Sequence, residues 1–330
     1  RSSAASDVYK RQGFYNQENL FDTCHDEGKK DYEYLPNKGW NGMKYTNKLR
    51  NMSKALADMG TDVLPNVGCA FIGLSEVENH KVLDALVDQA PLKARNMKYV
   101  HIEGPDRRGI DCALLYNPSL FSVKNVKLLP YVQELAKDSA FFTRGFLTVR
   151  GEMAGDDVAV IVCHWPSRFS GPFYRESAAR QVKVIKDSLL NVNQEMKIFV
   201  MGDMNDDPVN KSMHVYLQAK PEISQVGAGD MYNPWYNVLA KEGKGTLFYS
   251  GNWNLFDQIV ITPNLLNKDA KKKDYSSLKY WKSHIFRRDY LIQQEGQYKG
   301  APLRTTAGGR WLNGYSDHLP VVMYLVKEKK

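Results

Sequence analysis

The chain has 330 residues, of which 43% are hydrophobic and 25% are charged, and its formal net charge is +8. This is the composition of an ordinary globular protein that can bury a sizeable core, and we find no internal repeat or low-complexity tract. The longest apolar runs, such as residues 158–163, have the length of a strand, which excludes a membrane-spanning helix within this sequence.

The first twelve residues, RSSAASDVYKRQ, show neither apolar periodicity nor the hydrophobic stretch of a signal peptide. They have the character of a non-native or disordered segment, so we predict a single domain over residues 13–330. The native N-terminus is then incomplete, and the segment gives no information about the location of the protein.

Strand-like apolar runs recur along the chain, and helical spacing separates some of them. Three helices are predicted: one closed by Gly60, one that begins at Asn79, and one that covers roughly residues 175–192. A mixture of this kind without a composition break indicates one α/β domain, in which two packed sheets are flanked by helices. The strand-like runs are residues 13–15, 70–74, 110–116, 146–153, 158–163, 198–201, 256–262 and 321–326.

Two stretches, residues 22–42 and 264–310, have the character of long loops. The second holds eleven lysines or arginines against four acidic residues, which accounts for +7 of the net charge. Such a patch suits a nucleic acid or an anionic membrane surface, whereas charge alone favours the plainer interpretation of a solvated loop.

Six of the predicted strands carry a polar or ionisable side chain at one end. Taken alone, each has a structural explanation, such as a turn asparagine, a helix-capping acid or a buried histidine. Six together are harder to explain in this way, because packed strands bring their ends to one rim of a sandwich. The residues in question are Asn16, Glu76, His164, Asp203 with Asn205, Asp257, and Asp317 with His318.

The residue types at these strand ends indicate the kind of site. Carboxylates and carboxamides without thiolates form an all-oxygen shell, which suits a hard cation such as Mg²⁺, with Mn²⁺ or Ca²⁺ as alternatives, better than zinc. A divalent cation would also neutralise carboxylates that otherwise repel one another. The remaining histidines and aspartates are then free for proton transfer and charge stabilisation.

The segments FYNQENLFD, GLSEVEN, RGIDCALLY, HWPSR, GDMND and SDHLPV resemble, in order and over residues 13–326, the motifs of the endonuclease/exonuclease/phosphatase superfamily. Pancreatic deoxyribonuclease, apurinic endonucleases, neutral sphingomyelinases and inositol polyphosphate phosphatases are members, and the likeness is to the deoxyribonuclease-like, bacterial branch. It implies a four-layer α/β/β/α sandwich, with two mixed β-sheets packed face to face, flanked by helices, and an active site at one rim.

The resemblance implies a metal site and a general base. Asn16 and Glu76 match the metal-site residues of the family, with Glu76 as the principal ligand, and Asp317 lies at the metal or at its water network. Asp203 matches the aspartate that orients or deprotonates the attacking water, or protonates the leaving group. Asn205 would hold the phosphate, and on an extended strand it would face the same way as Asp203.

The resemblance also implies residues that stabilise charge. His318 matches the histidine of the family that is paired with an aspartate, here Asp257, which fixes its tautomer. His164 matches a second histidine, which hydrogen-bonds a phosphate oxygen. Arg144 occupies the place of an arginine that contacts the phosphate.

The roles of two further arginines and two aspartates are less defined. Arg108 and Arg168 recur in similar bacterial proteins, and each is interpreted either as a phosphate contact or as a structural ion pair. Asp206 and Asp207 receive no catalytic role. We predict that Asp207 caps a helix whose first residue is Pro208.

These motifs predict a divalent-metal-dependent phosphoester hydrolase in which water attacks in line with the leaving oxygen, most simply an endonuclease or a general phosphodiesterase. The alternative is a phosphoinositide- or sphingomyelin-type lipid phosphohydrolase, and a non-catalytic nucleic-acid-binding module is less favoured. We expect a phosphoester substrate, with nucleic acid favoured over membrane lipid, and a monomer without an obligate protein partner. Because similar bacterial proteins are often exported, a periplasmic or extracellular location is favoured over others.

Overall fold

The computed structural model describes residues 7–134, 141–269 and 271–329. In this part of the chain, the α-helices are α1 (Gly42–Asp58), α2 (His80–Val87), α3 (Ala90–Ala94), α4 (Pro172–Val192) and α5 (Trp235–Ala240), and there are also a π-helix at Ser212–Tyr216 and several short 3-10 helices. The strands are β1 (Asp7–Leu20), β2 (Phe71–Val77), β3 (Lys98–His101), β4 (Asp111–Tyr116), β5 (Ser122–Leu129), β6 (Phe146–Met153), β7 (Asp156–His164), β8 (Lys197–Asp203), β9 (Ala219–Lys220), β10 (Met231–Tyr232), β11 (Leu247–Tyr249), β12 (Asn252–Asn254), β13 (Asp257–Ile261), β14 (Lys279–Ile285), β15 (Thr306–Ala307), β16 (Arg310–Trp311) and β17 (Val321–Glu328).

Two large mixed sheets form the centre of the molecule. The first has the strand order β14-β17-β1-β2-β4-β3, and the second has the order β5-β6-β7-β8-β13-β10-β9. Parallel pairs occur in both sheets, between β1 and β2 and between β7 and β8, while most of the other neighbours are antiparallel. With helices on the outer faces, this arrangement confirms the predicted α/β/β/α sandwich.

Apolar packing holds the four layers together. Between the sheets, the rings of Phe71 and Phe199 meet at a centroid distance of 5.5 Å within a buried core. The outer face of the first sheet packs against α1 and α2 through residues such as Met52 and Leu83, and α4 covers the second sheet with Val182. Burial of each such side chain contributes about 1.5–3 kcal/mol.

The three predicted helices are present, and local capping explains where they begin. The Asn41 side chain accepts a hydrogen bond from the Lys44 amide at the start of α1, and the Asn79 side chain caps α2 in the same way. Helix α4 begins with Pro172, three residues earlier than predicted, because proline lacks the amide hydrogen that a first-turn residue leaves unpaired.

The N-terminal boundary differs from the sequence-based prediction. Strand β1 begins at Asp7, and residues 7–14 pair with β17, so the domain starts before Gly13 and residues 7–12 are not a disordered segment. The buried positions in this stretch are filled by Arg11 and Gln12, which hides the strand from a search for apolar runs. Residues 1–6 lie outside the described residues.

The basic stretch 264–310 is also more ordered than a solvated loop. Strand β14 lies within it and pairs with β17 as the edge strand of the first sheet, and the hairpin β15–β16 follows.

Among the described helices, none combines the length and the apolar character needed to cross a lipid bilayer.

Candidate active site

The strand pairing places the predicted side chains together at one rim of the sandwich. In the second sheet, Asp203 at the end of β8 lies opposite His164 in β7 on one side and opposite Asp257 in β13 on the other. In the first sheet, Asn16 in β1 lies opposite Ser75, which precedes Glu76. Strand pairing thus brings the ends of β7, β8 and β13 together in one sheet and those of β1 and β2 together in the other.

His318 and Asp257 form a buried pair that connects the two sheets. His318 Nδ1 lies 2.7 Å from Asp257 Oδ2, and the same oxygen accepts a hydrogen bond of 2.5 Å from the Thr246 hydroxyl. With Nδ1 occupied in this way, the Nε2 atom of His318 is directed at Asp203 Oδ2, 3.8 Å away. Burial alone would lower the pKa of His318, but the carboxylates of Asp257 and Asp203 outweigh it and hold the pKa well above its ordinary value.

Asp203 is the central acidic group of the site. Its Oδ2 atom accepts a hydrogen bond of 3.0 Å from Asn16 Nδ2, and its Oδ1 atom accepts one of 2.9 Å from the Asn205 amide. Burial raises the pKa of Asp203 to about 7; the His318 imidazolium opposes this shift and the charge of Asp257 adds to it. The carboxyl group is thus able to hold or release a proton near neutral pH.

His164 lies beside Asp203, and its pKa is shifted in the opposite direction from that of His318. Its Nε2 atom lies 3.6 Å from Asp203 Oδ2 and 3.8 Å from Glu76 Oε1. Burial lowers the pKa of His164 well below its ordinary value, and the nearby Arg144 and Arg108 lower it further. The two histidines that face the Asp203 carboxylate therefore have pKa values shifted in opposite directions.

Several residues at this rim adopt left-handed backbone conformations that are rare for residues other than glycine. The φ angles of Glu18, Asn19, Glu76 and Asn205 are 45°, 57°, 60° and 49°. Strain of this kind is concentrated at functional sites. At Glu76 it accompanies a hydrogen bond of 2.9 Å from the Asn19 amide to Oε2, which holds the carboxylate at the rim.

The position of Asn205 differs from the prediction. Strand β8 ends at Asp203, so Asn205 reaches the site by a turn rather than by strand alternation. In this turn the Asn205 amide hydrogen bonds back to Asp203, and its side-chain Nδ2 donates to the carbonyl of Trp165 at 2.9 Å. Asn205 therefore lies at the rim because of this turn, and not because side chains alternate along a strand.

A second, partly buried polar cluster supports Asp317, and sequence reasoning missed it. Arg304 lies between two carboxylates, with Nη2 3.3 Å from Asp317 Oδ2 and Nε 3.1 Å from Glu18 Oε1. The fully buried Lys48 donates to Thr305 Oγ1 at 2.5 Å and to the Tyr315 carbonyl. The one sequence signal for this cluster is the position of Glu18, which lies two residues after Asn16 in NQENL.

The three predicted arginines have different surroundings. Arg144 is 3.0 Å from Asp106 Oδ2 and donates to the Trp165 carbonyl. Arg108 is exposed and hydrogen-bonds Asn19 Oδ1, and the described residues include no carboxylate within 4.0 Å of it. Arg168 is hydrogen-bonded to Asp207.

Asp206 and Asp207 hold arginines in place, and the predicted helix cap is wrong. Residues 208–210 form a turn, and Asp207 accepts hydrogen bonds from the Leu255 amide at 2.7 Å and from Arg168 at 2.9 Å. Asp206 is buried against Arg175, with Nε 2.8 Å from its Oδ1 atom. Arg168 also stacks on Phe256, with 4.6 Å from its guanidinium carbon to the ring centroid.

The donor atoms at the rim fit a hard divalent cation. Glu76, His164 and Asp203 offer ligand atoms that lie within 4.8 Å of one another, and Asn16 contacts Asp203 from the first sheet. In a second group, formed by Asp203, Asp257 and His318, the ligand atoms also lie within 4.8 Å of one another. However, its histidine is engaged with Asp257, which raises the pKa of the ring, so the oxygen-rich side at Glu76 and Asn16 is the better cation site.

Comparison with known proteins identifies a family match over nearly the whole chain. The model of the Endonuclease/Exonuclease/phosphatase family matches residues 12–327. No curated protein matches the sequence.

Solved structures with the same fold cover almost the entire chain. The structure of Danio rerio TDP2 complexed with a single-strand DNA product has a TM-score of 0.55 and 11% identity, and it covers 96% of this chain and 98% of that chain. A mannosyl-6-phosphatase from Bacteroides thetaiotaomicron has a TM-score of 0.57 and 13% identity, with 96% and 99% covered. Truncated TDP2 from Caenorhabditis elegans has a TM-score of 0.54 and 13% identity, with 96% and 97% covered. At these identities the likeness establishes the fold alone.

Proposed function

The chain belongs to the endonuclease/exonuclease/phosphatase family, whose members are hydrolases that act on phosphoesters, and from this premise we propose that it is a divalent-metal-dependent phosphodiesterase that cleaves nucleic acids. The observation that carries the proposal is the placement of His318. Held by Asp257 at 2.7 Å, it directs Nε2 at the Asp203 carboxylate, while Asn16 contacts the same carboxylate oxygen from the other side.

The metal would be held by Glu76 and Asn16, with Asp317 at its water shell. When bound, such a cation polarises a phosphoryl oxygen and neutralises the negative charge that develops on it. Mg²⁺ suits this role because it binds few protein carboxylates and keeps several waters. We favour Mg²⁺ over Mn²⁺ and Ca²⁺.

The protein side chains would then have separate roles around the phosphate. Asp203, with its pKa of about 7, orients the attacking water and takes its proton, or returns a proton to the leaving oxygen. The His318 imidazolium stabilises the charge on the phosphoryl oxygens, and the neutral His164 supports it by hydrogen bonding. Asn205 contributes its amide side chain, and the exposed Arg108 and the ion-paired Arg144 attract the substrate.

The choice of nucleic acid as substrate rests on charge. The basic segment 264–310 supplies most of the net charge, and a chain of phosphates is the partner that such a segment attracts most strongly. The fold is shared with a TDP2 structure that holds a single-strand DNA product, which supports the proposal, and also with a mannosyl-6-phosphatase. A lipid phosphohydrolase is the competing outcome.

A substrate panel tests the proposed function. Plasmid, single-stranded DNA, RNA, bis-p-nitrophenyl phosphate, mannose 6-phosphate and phosphoinositide vesicles are incubated with the protein in Mg²⁺ and in EDTA. We expect hydrolysis of the nucleic acids and of bis-p-nitrophenyl phosphate, lost in EDTA and in Asp203→Asn and His318→Ala. Asp88→Asn and His80→Ala, at exposed positions of the first sheet's helical layer, are the matched controls.

The outcomes separate the alternatives. Activity that survives EDTA or both active-site substitutions would contradict the proposed mechanism. Turnover of the vesicles alone would favour the lipid phosphohydrolase, and turnover of mannose 6-phosphate alone would favour a monoesterase. Binding of DNA without turnover of any phosphoester would favour a binding module.

A further inference from the structure

A cleft of about 610 Å³ lies next to the chain segments that carry Thr246 and His318. Two of its lining residues, Gly245 and Leu319, are each one position from Thr246 and His318, which belong to the active site. The Leu319 amide donates to the Thr246 carbonyl at 2.8 Å, so these two segments form a shared wall between the cleft and the catalytic rim. The volume is that of a small-molecule site.

One wall of the cleft is aromatic. Phe248 in β11 and Trp253 in β12 face each other across the hairpin at a ring-centroid distance of 5.2 Å. Both rings are only partly buried, and Tyr298, which is 54% exposed, lines the cleft from the segment after β14. Flat surfaces of this kind, open to solvent, bind planar rings by stacking.

The same cleft carries positive charge next to the rings. The guanidinium carbon of Arg287 lies 6.0 Å from the ring centroid of Trp253, and Lys299 also lines the cleft. Within the described residues, neither Arg287 nor Lys299 has a carboxylate within 4.0 Å. The lining carboxylate is Glu242, which is paired with Lys244 at 2.8 Å. The two cations are therefore free to meet an anion.

We propose that this cleft binds one nucleotide of the substrate, with its base stacked on Trp253 and Tyr298 and its phosphate held by Arg287 and Lys299. This rests on the proposed function, because the bound nucleotide would be a neighbour of the one whose phosphodiester lies at His318. A free aliphatic chain would leave both cations unpaired, and an inositol phosphate would use the cations but not the flat rings. A nucleotide satisfies both features.

Equilibrium binding in EDTA tests the proposal without any turnover. The probes are AMP, ribose 5-phosphate, which lacks the base, adenosine, which lacks the phosphate, and inositol 1,4,5-trisphosphate. We expect AMP to bind at least tenfold more tightly than the other three. We expect Trp253→Leu and Arg287→Gln each to weaken AMP binding at least tenfold, and Trp253→Phe to restore most of the loss caused by Trp253→Leu.

The controls are chosen from the same elements. Tyr249 is 71% exposed on the same hairpin but does not line the cleft, and Lys282 is exposed on β14. Tyr249→Leu and Lys282→Gln are expected to bind AMP as the wild type does. Because Arg287 is exposed, Arg287→Gln keeps the test informative if Trp253→Leu fails to fold.

The results distinguish this inference from the proposed function. Equal affinity for AMP and ribose 5-phosphate, unchanged AMP binding in both cleft variants, or preferred binding of the inositol phosphate would overturn the nucleotide cleft, even if the enzyme hydrolyses phosphodiesters. If AMP binding follows the expected pattern but no phosphodiester is hydrolysed in Mg²⁺, the proposed function fails and the cleft stands.

Discussion

Asn16 and Asp203 lie 187 positions apart and belong to different sheets, yet the Asn16 side-chain amide donates a hydrogen bond of 3.0 Å to Asp203. This bond fixes the carboxylate oxygen that also faces His318 and His164, at 3.8 and 3.6 Å. The geometry of the whole rim therefore depends on how the two sheets are packed. Asn16 has no exposed surface, so it is held in one orientation.

The first prediction concerns this contact. Asn16→Ala removes the hydrogen bond to Asp203 and one of the proposed metal ligands, so we expect the turnover of bis-p-nitrophenyl phosphate to fall by about 10²–10³-fold, as when a preorganised donor is lost. Steady-state kinetics in Mg²⁺ measure the effect, and circular dichroism verifies the fold. Asn252→Ala, at an exposed position, is the control. Activity equal to that of the wild type would contradict the role of this contact.

The second prediction concerns the metal. Glu76→Gln keeps the shape of the side chain but removes its charge, so we expect the Mg²⁺ concentration for half-maximal activity to rise at least about 10-fold. Mg²⁺ should also raise the melting temperature of the wild type more than that of the variant, because a ligand stabilises the state that it binds. Both titrations are carried out on Glu103→Gln, an exposed carboxylate, as the control.

A Glu76→Gln variant with unchanged Mg²⁺ dependence in both measurements would show that the cation is held elsewhere. The pair Asp203 and Asp257 is the next place to test, since those carboxylates form the other cluster. Readouts of stability and of activity are both needed, because activity alone also reports on the proton transfer proposed for Asp203.

Much of the architecture follows from local patterns that the sequence displays. The apolar runs of β7 and β8 end at His164 and Asp203, and since neighbouring strands of a sheet end together, the rim could be predicted. The side chain of Asn79 marks the start of α2 for an equally local reason. These signals lie within a few residues of the features that they predict.

The missed features depend on contacts between distant segments. Glu18 meets Arg304 across 286 positions and Lys48 meets Thr305 across 257, so no periodicity indicates these pairs. The left-handed conformation of Asn205 is likewise fixed by its surroundings, here by the hydrogen bond of its side chain to Trp165. Sequence reasoning placed it on an extended strand because a run of apolar residues does not reveal where a strand bends.

The third prediction separates the two arginines whose roles the sequence left open. Arg168 is bound to Asp207 and stacked on Phe256, whereas Arg108 is exposed and hydrogen-bonded to a neutral side chain. We expect Arg108→Met to weaken oligonucleotide binding and to reduce the slope of log affinity against log salt concentration by about 1, since one phosphate contact is lost.

Arg168→Met is expected to leave this salt slope unchanged and to lower turnover instead, because Arg168 donates to the Asn205 carbonyl at 3.2 Å and positions that residue. Binding at several salt concentrations, measured in EDTA, gives the slope, and single-turnover rates give the second effect. A reduced slope for Arg168→Met, or an unchanged one for Arg108→Met, would reverse the two assignments.

The fourth prediction concerns pH and stability, away from the catalytic rim. Burial lowers the pKa of His284 below its ordinary value, while Asp62, 3.2 Å from Nε2, raises it, and Lys282 and Arg288 lower it further. A histidine with a depressed pKa binds fewer protons in the folded state than in the unfolded state at acidic pH. Its contribution to stability is therefore complete above the unfolded pKa of about 6.5 and is lost as the pH falls below it.

Urea denaturation at pH 7.5 and at pH 5.0 measures this contribution. We expect the loss of stability on acidification to be smaller in His284→Gln than in the wild type, because glutamine does not titrate, while the exposed control His80→Gln keeps the full loss. The ring also stacks on Tyr324 at a centroid distance of 5.5 Å, so His284→Gln is less stable at both pH values. The prediction therefore concerns the change in the free energy of unfolding between the two pH values. A change equal to that of the wild type would exclude His284 as its source.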